Sequence, residues 1–169
     1  MRTSMTRRLA VLAIALSTVG CDRATKHLAT ISLAGLPSRS YLGDTVWLGY
    51  VENTGAFLSL GADWPDALRT LIFTGGTGLM LVALAIAVVR MRCATWPLIG
   101  ATLFFAGGVS NWFDRVARGA VVDFVSVGIG PLRTGVFNVA DVALLFGAGL
   151  FLAGEFRGTH RVRPPDVPD

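Results

Sequence analysis

Four apolar runs decide what this chain can become: residues 9–28, 68–89, 95–113 and 136–156. A bilayer core about 30 Å thick is crossed by a helix of roughly 20 apolar residues. With four such runs, a chain of 169 residues has no length left for a second domain. Charged residues make up 15% of the chain and hydrophobic residues 53%, whereas soluble domains carry about a quarter charged. The expectation is an all-α membrane protein: one integral domain over residues 1–169 with four transmembrane helices. Residues 29–67 and 114–135 form its long loops, and a disordered tail runs from about 158 to 169.

The net charge of +4 does not indicate nucleic acid, because the basic residues form no stripe. Arg2, Arg7 and Arg8 precede the first run, Arg90 and Arg92 follow the second, and Arg157, Arg161 and Arg163 follow the fourth. Short basic flanks of this kind set orientation. They place both termini in the cytoplasm and both long loops outside. Within the first loop, Val46, Trp47, Tyr50, Val51 and Phe57 alternate with Gly43, Gly49 and Gly55, which reads as strand and turn on the membrane surface. Residues 120–127 are strand-like as well.

The start of the chain resembles a lipoprotein export signal, with arginines, an apolar stretch and then Ser17-Thr18-Val19-Gly20-Cys21. However, Thr18 stands where such signals carry leucine, and three further apolar runs follow. Cys21 therefore reads as an ordinary helix residue. Cys21 and Cys93 sit near opposite ends of different runs, which argues against a disulfide. Two cysteines and two histidines without ligand spacing make a zinc site a poor reading.

Ionisable groups at membrane depth cost several kcal/mol, so each asks for a function. Asp22 and Lys26 are four apart on one helical face and suit an ion pair. Asp114 and Arg115 end the third run, and Asn111 needs a partner on a neighbouring helix. Asn138 and Asp141 are three apart in an otherwise apolar stretch, and Asp123 lies between Val122 and Phe124. If Asp123 and Asp141 meet, desolvation and like charge force them to share a proton. One then activates water while the other donates to a substrate carbonyl. Ser110 lacks both the following glycine and a histidine partner, and there is no HExxH or phosphate-binding glycine loop. Gly75, Gly76, Gly78, Gly107 and Gly108 read as close-packing points. Two other classes compete with the peptidase reading: a small transporter with a proton relay, and a non-catalytic membrane adaptor. Missing internal repeats count against the first, and the cost of buried acids against the second.

In order along the chain, these residues resemble the motifs of the bacterial lipoprotein signal peptidase (signal peptidase II) family. The matching blocks are Asp22 with Lys26; Asn53, Gly55 and Phe57; Gly107, Asn111, Asp114 and Arg115; Gly119, Val121, Asp123 and Phe124; and Phe137, Asn138, Ala140 and Asp141. Arg23 stands where members often have glutamine, and Thr134-Gly135-Val136 replaces a proline-containing run. The resemblance implies four membrane helices with a small extracytoplasmic β-cradle and a short amphipathic surface helix. It implies a monomeric aspartic endopeptidase of the bacterial inner membrane, its site near the outer face. The implied substrate is a diacylglyceryl-modified prolipoprotein, cut before the lipidated cysteine and embedded in membrane lipid. The implied catalytic pair is Asp123 and Asp141, with no metal or cofactor and with globomycin-type inhibition. Asp22, Lys26, Asn53, Gly55, Asn111, Asp114, Arg115, Asn138 and Ala140 are then the residues that support the site or hold substrate.

Overall fold

The computed structural model describes residues 2–56, 60–91 and 95–159; Phe57, Arg92, Cys93 and the expected tail from His160 onward lie outside them. Helix α1 (Arg2–Leu33) is followed by strands β1 (Arg39–Tyr41) and β2 (Val46–Asn53). Helix α2 (Asp66–Arg69) starts after Pro65, whose fixed φ and missing N–H suit a helix start. It runs through a π-helical stretch, Thr70–Gly76, into α3 (Thr77–Arg90). Helix α4 (Thr95–Arg118), strands β3 (Val121–Ile129) and β4 (Leu132–Arg133), and helix α5 (Val139–Thr159) complete the order.

Among the described residues, two helical stretches are long and apolar enough to cross a bilayer, Asp66–Arg90 and Val139–Phe156. The other two long helices miss that measure for a visible reason. Asp22, Arg23 and Lys26 interrupt α1, while Trp96, Pro97, Ser110 and Asn111 dilute α4. Large apolar side chains stand on the outside of all of them, among them Leu16, Leu79, Val89, Phe113 and Leu145. Monomeric soluble proteins rarely leave so much apolar surface in water.

Helices α4 and α5 pack closely against each other, and glycine permits it. A Cβ on Gly107 would sit 2.5 Å from the Ala140 carbonyl oxygen, and one on Gly100 would sit 2.5 Å from the Phe151 nitrogen. Gly78 and Gly108 are likewise tight, against Trp112 and Leu81. Gly75 and Gly76 are not close-packing points; they lie in the π-helical stretch with no neighbouring helix against them. Opposite that stretch, Trp112 Nε1 donates to the Thr74 carbonyl at 2.8 Å and ties α4 to it.

The four strands form one antiparallel sheet in the order β1-β2-β3-β4. Its register pairs Asn53 with Val121 and Val51 with Asp123, with a bulge between Leu48 and Val51. Phe137 adds a bridge to Val125, which leads the chain from the sheet directly into α5. Between β2 and Asp66, residues 60–63 form a turn, and no separate short helix stands among the described residues there.

Candidate active site

The sheet and the ends of α1, α4 and α5 meet around a set of buried polar side chains. Asp22, Lys26, Ser110, Asn111, Asp114, Asp123 and Asn138 are all buried. Their bonding separates them into two groups.

The first group closes on itself between α1 and α4. Lys26 Nζ lies 2.8 Å from Asp22 Oδ2 and 2.8 Å from Asp114 Oδ2, and donates to Asn111 Oδ1 at 2.7 Å. Asn111 Oδ1 accepts its hydrogen bond, while the two carboxylates are held as ion pairs, Asp114 Oδ2 having no hydrogen-bond partner among the described residues. Ser110 Oγ also donates to Asp22 Oδ2 at 2.6 Å, and the Ala140 backbone N–H donates to Asp22 Oδ1 at 2.8 Å. That N–H is one of the free donors in the first turn of α5, so a carboxylate from α1 caps a helix from the far end of the chain. Arg23 pairs with Asp114 and lies over the Phe113 ring, 4.8 Å from its centroid. Two carboxylates face two cations, and the cluster is neutral.

Asn111 links the two groups. Because Lys26 can only donate, the Asn111 carbonyl must face it, and the amide nitrogen then points the other way. Asn111 Nδ2 donates to Asp141 Oδ1 at 2.8 Å.

The second group has carboxylates without cations. Asn138 precedes α5 and forms a reciprocal cap with Asp141. The Asp141 N–H donates to Asn138 Oδ1 at 3.0 Å, and the Asn138 N–H donates to Asp141 Oδ2 at 3.1 Å. This is a capping box in Asn-x-x-Asp form. The Asn138 amide nitrogen donates to Asp123 Oδ1 at 2.6 Å, so one residue touches both aspartates. Asp123 Oδ2 accepts from Asn53 Nδ2 at 3.1 Å, and Asn53 Oδ1 accepts the Gly55 N–H at 3.0 Å. Each of the four carboxylate oxygens thus receives one N–H. Among the described residues neither Asp123 nor Asp141 is in an ion pair.

Both aspartates line a cavity of about 580 Å³, together with Asn53, Asn111, Arg115, Phe137, Val142, Leu145 and Phe146. Arg115 Nη2 donates to the Gly55 carbonyl at 2.7 Å and holds the turn after β2 over this cavity. Its other face is apolar, built from α5. Burial pushes the Asp123 carboxyl from 3.8 up to about 6, and the negative charge of Asp141 adds to the rise. Hydrogen bonds from Asn53 and Asn138, and the Lys26 ammonium, pull it the other way.

All eleven residues singled out in the sequence fall in this region. The Asp22–Lys26 pair and the need of Asn111 for a partner on another helix are met as expected. Three details differ. Helix α5 begins at Val139 rather than at 136, so Asn138 is its cap and not a residue on the Asp141 face. Ser110, set aside as a nucleophile, is a ligand of Asp22. Arg23, noted only as a departure from a pattern, carries half of the compensating charge. Cys21 lies within α1, exposed and with a free thiol, as expected for an ordinary helix residue.

Comparison with known proteins bears on the same residues. The family model described as Signal peptidase (SPase) II matches residues 14–157. A lipoprotein signal peptidase from Gloeobacter violaceus is 35% identical over 159 residues, covering 94% of this chain and 86% of the relative. One from Streptococcus pneumoniae is 31% identical over 149 residues, covering 88% and 93%. In fold, the chain resembles a bacterial membrane enzyme solved by the in meso method at 2.3 Å resolution. The TM-score is 0.80 at 24% identity, over 94% of each chain. Since the matched stretch contains the whole buried network, from Asp22 to Asp141, the chain belongs to the signal peptidase II family.

Proposed function

We propose that this protein is an aspartic endopeptidase of the bacterial inner membrane that removes signal peptides from diacylglyceryl-modified prolipoproteins. The observation that carries the reading is the Asn138 side chain, which joins Asp123 and Asp141 at the head of a largely apolar cavity. Two desolvated carboxylates in one pocket share a proton. The ionised one takes a proton from water as the water oxygen attacks the scissile carbonyl carbon. The protonated one donates to the carbonyl oxygen, and the amide nitrogen leaves with a proton as the C–N bond breaks. The products are the signal peptide, ending in a carboxylate, and a mature chain that begins with the lipidated cysteine. No metal or cofactor takes part.

Four spans, α1, Asp66–Arg90, α4 and α5, then cross the bilayer with both termini in the cytoplasm. The site lies near the outer face, where the enzyme works as a monomer. The apolar wall from Val142 to Phe146 faces the acyl chains of a substrate that cannot leave the lipid. Arg115 and Asn53 fix the turn through Gly55 above the peptide, while Asp22, Lys26, Asp114 and Ala140 hold the helix ends in place. Incubating purified protein with a lipidated precursor tests this: cleavage before the modified cysteine is expected, with loss of cleavage on adding globomycin. An intact precursor after incubation with folded protein would refute the reading. A proton relay predicts instead Asp141-dependent flux into liposomes without proteolysis.

A further inference from the structure

The segment that leads from the sheet into α5 is one residue too long for the strand it pairs with. Gly128 opposes Arg133 and Ile129 opposes Leu132, a register that would set Val127 against Thr134 and Val125 against Val136. The first pairing holds, since the Thr134 N–H donates to the Val127 carbonyl at 2.8 Å. The second does not. Val125 is bridged instead by Phe137, whose N–H donates to the Val125 carbonyl at 2.8 Å and whose carbonyl accepts the Val125 N–H at 3.0 Å. Gly135 and Val136 therefore both stand against Ser126, as a β-bulge.

Two side chains hold the bulge in this form. The Val127 N–H donates to Thr134 Oγ1 at 3.0 Å, and the hydroxyl of buried Ser126 donates to the Thr134 carbonyl at 3.0 Å. Thr134 and Phe137 thus spend their backbone groups on β3. Gly135 and Val136 between them make no hydrogen bond among the described residues. Both line the cavity that holds Asp123 and Asp141, and Asn138, three residues past Gly135, bonds to both aspartates. No strand lies beyond this edge of the sheet among the described residues. Unpaired N–H and C=O groups on such an edge are a template for a further strand, and a glycine there lets a second backbone come close. Beside a wall of Val142, Leu145 and Phe146, they gain most from a partner that brings N–H and C=O groups of its own.

We propose that the Gly135–Val136 bulge binds the backbone of the substrate peptide in extended form, as a short added strand beside the aspartates. The proposal rests on the reading of the protein as an endopeptidase. Gly135 and Asn138 are about 10 Å apart along extended chain, so the engaged peptide groups lie about two to four residues from the bond that is cut. Successive residues of an added strand turn their N–H groups to opposite edges, so only every second N–H of that stretch meets the bulge. Recognition through the main chain leaves the substrate side chains there free to vary.

The test uses the full-length protein in detergent micelles and synthetic diacylglyceryl-modified peptides, each with one amide replaced by an ester so that one N–H becomes an oxygen. The replacements run from the second to the fifth residue on either side of the scissile bond, which itself stays an amide. Cleavage gives kcat/KM, and energy transfer from the protein's tryptophans to a dansyl group on the peptide gives Kd. A loss of about tenfold in both is expected at one or two alternate positions on one side, with no change elsewhere. Equal values for all the peptides would overturn the proposal, and so would equal losses at every position. Val136→Pro removes one N–H from the bulge and is expected to raise KM about tenfold with kcat kept. An unchanged KM would again overturn the proposal; if that variant does not fold, the ester series on the unaltered protein decides. A Kd that depends on position while no peptide is cut would sink only the enzyme reading. Cleavage with uniform Kd and kcat/KM would sink only the added strand.

Discussion

Two sets of buried aspartates lie side by side in this molecule, and they are satisfied in opposite ways. Asp22 and Asp114 are paired with Lys26 and Arg23, and the set is closed and neutral. Asp123 and Asp141 receive only amide and backbone N–H groups and face a cavity. A cation fixes a carboxylate in its charged form, whereas an amide donor supports that form and leaves it able to take a proton. On the proposed reading, the first pair builds the helix ends and the second does the chemistry.

The largest effect separating the two sets is on activity. Asp123→Asn or Asp141→Asn is expected to lower cleavage of a lipidated precursor by on the order of 10⁴-fold while the protein remains folded. Wild-type turnover by either variant would erase the distinction. Next in size, Lys26→Met leaves two carboxylates buried without their shared cation and is expected to cost about 3–5 kcal/mol of stability. Thermal unfolding in detergent measures it, and an unchanged midpoint would show that Lys26 does not hold the cluster.

A smaller effect concerns pH. Because the Asp123 carboxyl is pushed up to about 6 from 3.8, the folded chain binds this proton more tightly than the unfolded one. Its contribution to stability is full below about 3.8 and is lost as pH rises through about 6. A shared proton is also what the proposed reaction needs, so kcat/KM is expected to decline as pH rises through the same range. Asn53→Ala removes a donor that favours the ionised form, so this decline should move to higher pH. A move to lower pH would contradict the assigned contact. The smallest effect is at the rim: Arg23→Gln is expected to cost less than about 1 kcal/mol in the same unfolding assay, because its side chain is 31% exposed and water screens the pair. A loss as large as that of Lys26→Met would place the cluster's centre of charge at Arg23 instead.

Much of this was legible in the sequence because it depends on short-range spacing. The i, i+4 relation between Asp22 and Lys26 survives folding, and the strand at residues 120–127 is present as β3. The four residues from Asn138 to Asp141 illustrate the limit: spacing of three fits both a shared helix face and a capping box, and only the start of α5 at Val139 decides between them. Contacts such as Ser110 with Asp22 or Arg23 with Asp114 depend on how far one helix is rotated against another. That rotation is set by glycine contacts such as Gly107 against Ala140; the sequence marks Gly107 as a close-packing point but not its partner on another helix. The π-helical stretch at Thr70–Gly76 is hidden for the same reason, since its apolar residues fit an ordinary α-helix equally well.

The reciprocal bonds between Asn138 and Asp141 carry a consequence for assembly. The bonds that close the first turn of α5 are the same bonds that seat the Asp141 carboxylate, so on the proposed reading folding and arming are one event. A half-assembled chain, with α5 frayed at its start, has neither a seated aspartate nor a finished cavity wall. On the proposed reading, such a chain does not cut while it is still being inserted.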